Sequence, residues 1–276
     1  MASTFVREKK IYCGENYLEV DIFQYTETQV RRKKRSKREK ETLLTQQNLN
    51  DKNAKRKFIQ LAETNFNQDD LHVTLTYSDK YLPKTIKEAE KEIENYFKRI
   101  RNRRKKENLD DLKYMIITEY SLDNNDGITA RPHHHILMNG GLDRDEVEKL
   151  WSRRKKKGEK EGERIGYANA DRLQLDYNSG LQRLSEYLTR HSKRKKKYSC
   201  SKNLKRPESR TNDSKYSRRR LIKLATEEVD VAKIERLYPG WTIKDKDKGF
   251  TAIYNEMTGW SVYLKLRRKE ERRRKQ

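Results

Sequence analysis

Three of the chain's five histidines form one tripeptide, His133, His134 and His135, followed directly by Ile136, Leu137 and Met138. On a β-strand, residues two apart share a face, so His133 and His135 converge while His134 faces away. Two imidazoles on one side make half a metal site, since neutral imidazole is the commonest metal ligand. The cluster is internal and flanked by strand formers, which sets it apart from a terminal expression tag. A hard divalent ion also needs an oxygen ligand and open positions for a substrate phosphate. Glu119 is the candidate, because it ends a strand-like run that a hairpin would bring beside the histidine strand. The alternative is a solvated strand-end carboxylate, since pairing register is not legible in a sequence. Cys13 and Cys200 lack paired spacing, so neither a disulfide framework nor a cysteine zinc knuckle is expected.

The next requirement is a group that attacks. Ser179 and Gln182 open a helix predicted to run to His191, with Leu181, Leu184 and Leu188 as its buried stripe. Tyr187 sits at the edge of that stripe, where its ring can pack and its hydroxyl can still reach a site. Packing is the competing role, because the chain has 16 tyrosines. Tyr177 and Tyr198 are weaker candidates for the same role.

The elements that must position these groups alternate along the chain. Strand patterns cover residues 11–24, 71–77, 114–120 and 132–138, and an alternating stretch covers 165–175. Asn124, Asn125, Asp126 and Gly127 supply turn chemistry between the third and fourth. Helices are predicted over residues 51–62, from the Thr85/Glu88 capping box onward, and from Asp143 and Glu146. The pattern predicts an α+β fold with a central antiparallel β-sheet flanked by helices and a small C-terminal α/β extension. Residues 1–66, a strand region with a basic arm at 31–40, are expected to contribute to the main domain, whose core is residues 67–207. Residues 208–276 are expected to form a helix, a small β extension with turns at 248–249 and 258–259, and a charged tail.

A net charge of +24, with 40% charged residues, points to a polyanion as partner. No apolar run approaches the roughly 20 residues that span a bilayer, and no signal-peptide pattern opens the chain, so a cytoplasmic protein without membrane attachment is expected. The basic clusters at 31–40, 153–157 and 193–197 suit sequence-independent phosphate contacts, with solvated surface as the alternative. No P-loop pattern is present, so a fused helicase is not expected.

In order, residues 71–77 (LHVTLTY), 131–138 (RPHHHILM) and the helix carrying Glu186, Tyr187, Leu188, Thr189 and Arg190 resemble the three motifs of HUH endonucleases. More closely they resemble single-tyrosine rolling-circle replication initiators of phages, plasmids and integrated elements, a likeness that residues 198–207 (YSCSKNLKRP) extend. The resemblance implies His133 and His135 as the metal pair, Glu119 as acidic third ligand and Tyr187 as nucleophile, assisted by Arg190. It implies Mn²⁺ or Mg²⁺ as cofactor and site-specific nicking and joining of single-stranded DNA through a 5′-phosphotyrosine. Arg131, Lys193, Arg194, Lys195, Lys196, Lys202 and Lys205 are then DNA-contact candidates. The partners are single-stranded DNA or an origin hairpin, a helicase and polymerase of a bacterial host, and a second copy at the origin. Two positions depart from the family pattern: His134 stands where a bulky apolar residue is usual, and Arg190 where a lysine often follows the tyrosine by three. A relaxase or transposase, a water-using zinc hydrolase and a non-catalytic nucleic-acid binder are the alternatives.

Overall fold

Side-chain alternation, apolar on both faces, builds the sheet that carries the histidines. In the computed structural model, which describes residues 4–26, 44–122, 128–155, 157–158, 161–190, 197–245 and 247–269, the chain divides into two units. One comprises residues 51–175 and 181–205, here the histidine unit; the other comprises residues 1–50, 176–180 and 206–276, here the terminal unit. The fold is α+β, with antiparallel sheets flanked by helices, as the pattern predicts.

The histidine unit holds β3 (Leu71–Leu75), β4 (Tyr114–Leu122), β5 (Ile128–Met138), β6 (Ala168–Arg172) and β7 (Ser199–Cys200), ordered β6-β3-β5-β4-β7. Its helices are α1 (Leu44–Asn65, from Asp51 onward in this unit), α2 (Ile86–Lys106), α3 (Arg144–Lys149) and α4 (Gln182–Thr189). On one face Val73, Leu75, Ile136 and Met138 pack with Ala89, Ile93, Tyr96, Phe97 and Ile100 of α2 and with Trp151. On the other, Met115, Ile117 and Leu137 pack with Phe58, Leu61 and Ala62 of α1 and with Leu181 and Leu188 flanking or within α4. Both faces are covered, so the strands read as near-continuous apolar runs. The capping box is present in a form offset by one residue: Thr85 Oγ1 accepts from the Glu88 amide at 3.3 Å, and the Glu88 carboxylate accepts from the Lys84 amide at 2.8 Å.

Two helices differ from their sequence patterns. The helix expected over 51–62 extends to Leu44–Asn65. The helix expected from Ser179 begins instead at Gln182, because Ser179 is tied to Asp176, whose Oδ1 accepts from both its amide and its hydroxyl at 2.8 Å. Glu63 of α1 supplies the missing cap, accepting from the Leu181 amide at 2.9 Å, where a carboxylate also complements the helix dipole.

The terminal unit is a six-stranded sheet. Residues 11–24, which read as one strand, fall in a hairpin: β1 (Thr4–Cys13) and β2 (Tyr17–Thr26) turn at Gly14, whose φ of 66° favours glycine. With β8 (Glu208–Asn212), β9 (Trp241–Thr242), β10 (Phe250–Asn255) and β11 (Gly259–Arg268) they form the order β10-β11-β2-β1-β8, with β9 against β11. The N-terminal strands thus pair with the C-terminal ones, where the sequence reading assigned them to the domain of the histidines. Helices α5 (Arg218–Thr226) and α6 (Val231–Leu237) cover Val6, Leu18, Val20, Ile22, Val262, Leu264 and Leu266. The basic run at 31–40 and the tail beyond residue 269 lie outside the described residues.

Candidate metal centre

The β4–β5 register, which the sequence leaves open, sets Glu119 directly opposite His133 and Ile117 opposite His135. The register shifts immediately after Glu119, a bulge that ends regular pairing at the carboxylate. Along β5 the face that buries Leu137 therefore carries His135 and then His133 as it leaves the apolar core. Glu119, His133 and His135 each offer a ligand atom, all within 4.8 Å of one another. Glu119 Oε2 lies 3.1 Å from His133 Nε2, and the two histidine rings stand at 88° with centres 5.3 Å apart. Two imidazoles and one carboxylate fit a divalent cation that keeps positions open for a further ligand.

His134 does a different job. It is fully buried on the opposite face, with Nε2 2.8 Å from the Tyr77 hydroxyl and Nδ1 2.9 Å from Thr118 Oγ1. Both ring nitrogens are thus satisfied inside the core. A shifted ligand register through His134 has no lone pair left to use.

His72 is a neighbour of the site that the sequence reading passed over. Its Nε2 lies 3.3 Å from His135 Nδ1, and Thr74 Oγ1 lies at the same distance from that atom. Burial lowers the His135 pKa to about 4, with the charges of His72 and His133 acting in the same direction. Burial also lowers that of His72, against a smaller opposing pull from Asp171. A neutral His135 ring at pH 7 keeps the lone pair that a cation needs.

Tyr187 projects from α4 while Leu181 and Leu188 hold that segment in the core. Tyr187 is 59% exposed, and its ring sits beside His135, centres 6.4 Å apart at 73°. The tyrosine and the His/Glu cluster, from separate elements, therefore meet. Arg190 is the exposed C-cap of α4 and has no ion-pair partner among the described residues.

The remaining candidates divide. Tyr198 packs on Phe58, ring centres 5.1 Å apart, and Tyr177 belongs to the terminal unit, with Lys244 Nζ 3.8 Å above its ring. Arg131 is engaged with the Tyr77 carbonyl at 2.7 Å and with the Asp79 carboxylate. Lys202 and Lys205 are exposed, whereas Lys193, Arg194, Lys195 and Lys196 lie outside the described residues. Lys197, last of that basic run, is buried and paired with Asp51 at 2.9 Å. Among the described residues no helix is long and apolar enough to cross a membrane.

A comparison with curated proteins finds no match, and neither does one with solved structures. Residues 70–177, a span that contains His72, Glu119 and the histidine tripeptide and stops before Tyr187, match the family model of the replication-associated protein ORF2.

Proposed function

We propose that the chain is a rolling-circle replication initiator that nicks and rejoins single-stranded DNA through Tyr187. The observation that carries this reading is the tyrosine ring lying against His135 of a cation-competent Glu119/His133/His135 cluster. The family match over residues 70–177 supports a replication role, and the net charge of +24 suits a nucleic-acid substrate.

Glu119, His133 and His135 would hold Mn²⁺ or Mg²⁺, which when bound polarises a scissile phosphate. The Tyr187 oxygen attacks phosphorus in line, the bond from phosphorus to the 3′-oxygen breaks, and the phenolic proton is in effect exchanged to that leaving oxygen. A 5′-phosphotyrosine and a free 3′-hydroxyl result, with no net consumption of water. A polymerase can extend that hydroxyl, and reversal with a second strand end rejoins the DNA. One turn after Tyr187, Arg190 would hold a phosphate or stabilise the phenolate, and the exposed Lys202 and Lys205 would contact the backbone. A helicase of the host opens the duplex.

The test is to incubate the full chain with the parent element's single-stranded DNA and Mn²⁺, then map any adduct by peptide mass spectrometry. The expected result is a nucleotide on Tyr187, lost in Tyr187→Phe. Cleavage without an adduct would instead favour water as nucleophile, and an adduct retained in Tyr187→Phe would move the role to another residue.

A further inference from the structure

We propose that His72 is a positioning residue for the metal centre: its Nε2 accepts the Nδ1 proton of His135, leaving the Nε2 of His135 to bind the cation. The inference rests on the metal reading above and adds a residue to it. A neutral imidazole carries one N–H and one lone pair, and the partner of one nitrogen decides which atom is free to ligate. His135 Nδ1 has two neighbours at 3.3 Å, His72 Nε2 and Thr74 Oγ1. The His72 and His135 rings are inclined by only 21°, and their centres are 5.5 Å apart. That separation exceeds the nitrogen–nitrogen distance by about two ring radii, so the rings meet end to end in nearly one plane. This is the geometry of an N–H···N hydrogen bond rather than of a face-to-face stack.

The sheet brings the two rings within reach of each other. Thr74 is opposite His135 and His72 is opposite Leu137, so His72 and His135 are diagonal neighbours on one face of the β3–β5 pair. On the other side of β3, Asp171 of β6 is directly opposite His72. A carboxylate, an imidazole and the ligating imidazole therefore follow one another across three adjacent strands. The Thr74 hydroxyl can donate or accept and so selects neither tautomer by itself. Cation binding through Nε2 of His135 requires the proton on Nδ1, and a lone pair on His72 Nε2 is what receives it.

The test measures Mn²⁺ binding to the metal-free full chain by calorimetry in the wild type and in His133→Ala, His72→Phe, His72→Gln and Thr74→Val, each checked for an unchanged thermal transition. Expected are loss of binding in His133→Ala, binding weaker by about 10–100-fold in His72→Phe, and recovery of most of it in His72→Gln, whose amide oxygen can accept in place of Nε2. In the Mg²⁺-loaded protein, histidine ¹⁵N spectra should place the His135 proton on Nδ1. Wild-type affinity in His72→Phe alongside loss in His133→Ala would overturn the role of His72 and leave the metal site standing, as would a His135 proton on Nε2 in the loaded protein. An effect confined to Thr74→Val would overturn it in favour of the hydroxyl. Unchanged binding in His133→Ala would remove the metal reading itself and the inference with it.

Discussion

The two units each gather ionisable groups on an antiparallel sheet, and they finish the cluster in opposite ways. In the terminal unit Glu8, 1% exposed, accepts from Lys215 Nζ and from the Tyr238 hydroxyl, both at 2.7 Å, and Tyr238 meets the Tyr216 hydroxyl at 2.9 Å. Charge meets charge there, and burial pushes the Tyr238 pKa up and that of Lys215 down, the latter opposed by Glu8. In the histidine unit a carboxylate and two imidazoles, all groups with lone pairs to offer, converge at the half-exposed end of a strand pair, and no Lys or Arg is ion-paired with Glu119 among the described residues. A closed network contributes to stability and leaves nothing for a ligand. An open one contributes little and can be completed from outside, which is where function is found when sequence choices depart from what stability alone would select.

That contrast can be broken experimentally. The largest effect belongs to the open cluster: His133→Ala should reduce Mn²⁺-dependent cleavage of single-stranded DNA to background on a gel, while urea unfolding of the metal-free protein shifts by less than about 0.5 kcal/mol. Glu8→Ala should do the reverse, costing about 3 kcal/mol in urea by leaving Lys215 without its counter-charge; a loss as small as that of His133→Ala would show the terminal network to be dispensable. His134→Ala sharpens the comparison within one tripeptide. It removes the His134 partner of the Thr118 hydroxyl and leaves the Tyr77 hydroxyl only its longer bond to the Ala89 carbonyl, and should cost about 2 kcal/mol, with Mn²⁺ affinity by calorimetry nearly unchanged.

The smallest effect is on pH. His135 and His72 have folded-state pKa values below the ordinary 6.5, so the unfolded chain takes up protons first as pH falls. Their contribution is fully present above about pH 6.5 and drains as pH drops toward 4. His135 alone should account for about 1 kcal/mol lost by about pH 5.5. Urea midpoints of the metal-free protein at several pH values, set against a His72→Phe/His135→Phe variant with a shallower decline, would check it.

Much of the site was legible because its signals are local. Period-two alternation separated His133 and His135 from His134, and a leucine stripe at helical spacing placed Tyr187 at the edge of a buried face. The turn-rich segment before β5 implied a hairpin and so pointed to Glu119, although only the three-dimensional register sets it opposite His133. His72 had no such signal: it is a single histidine on a recognised strand, and its relation to His135 exists only through the β3–β5 pairing. The terminal sheet was illegible for the same reason on a longer scale. Nothing near Tyr17 or Phe23 announces that β11 will lie beside them. Cys13–Gly14–Glu15–Asn16 was a turn signal available in the sequence, and the apolar residues on either side masked it.

The union of the first and last strands has a consequence for how the chain comes into being. Glu8 and the Tyr238 hydroxyl that it accepts from are 230 residues apart, so the sheet begun by β1 and β2 stays incomplete until β11 has been made. The histidine unit, encoded between them, has all of its strands in hand well before that moment. Synthesis therefore completes the strands of the histidine unit before the terminal sheet can close.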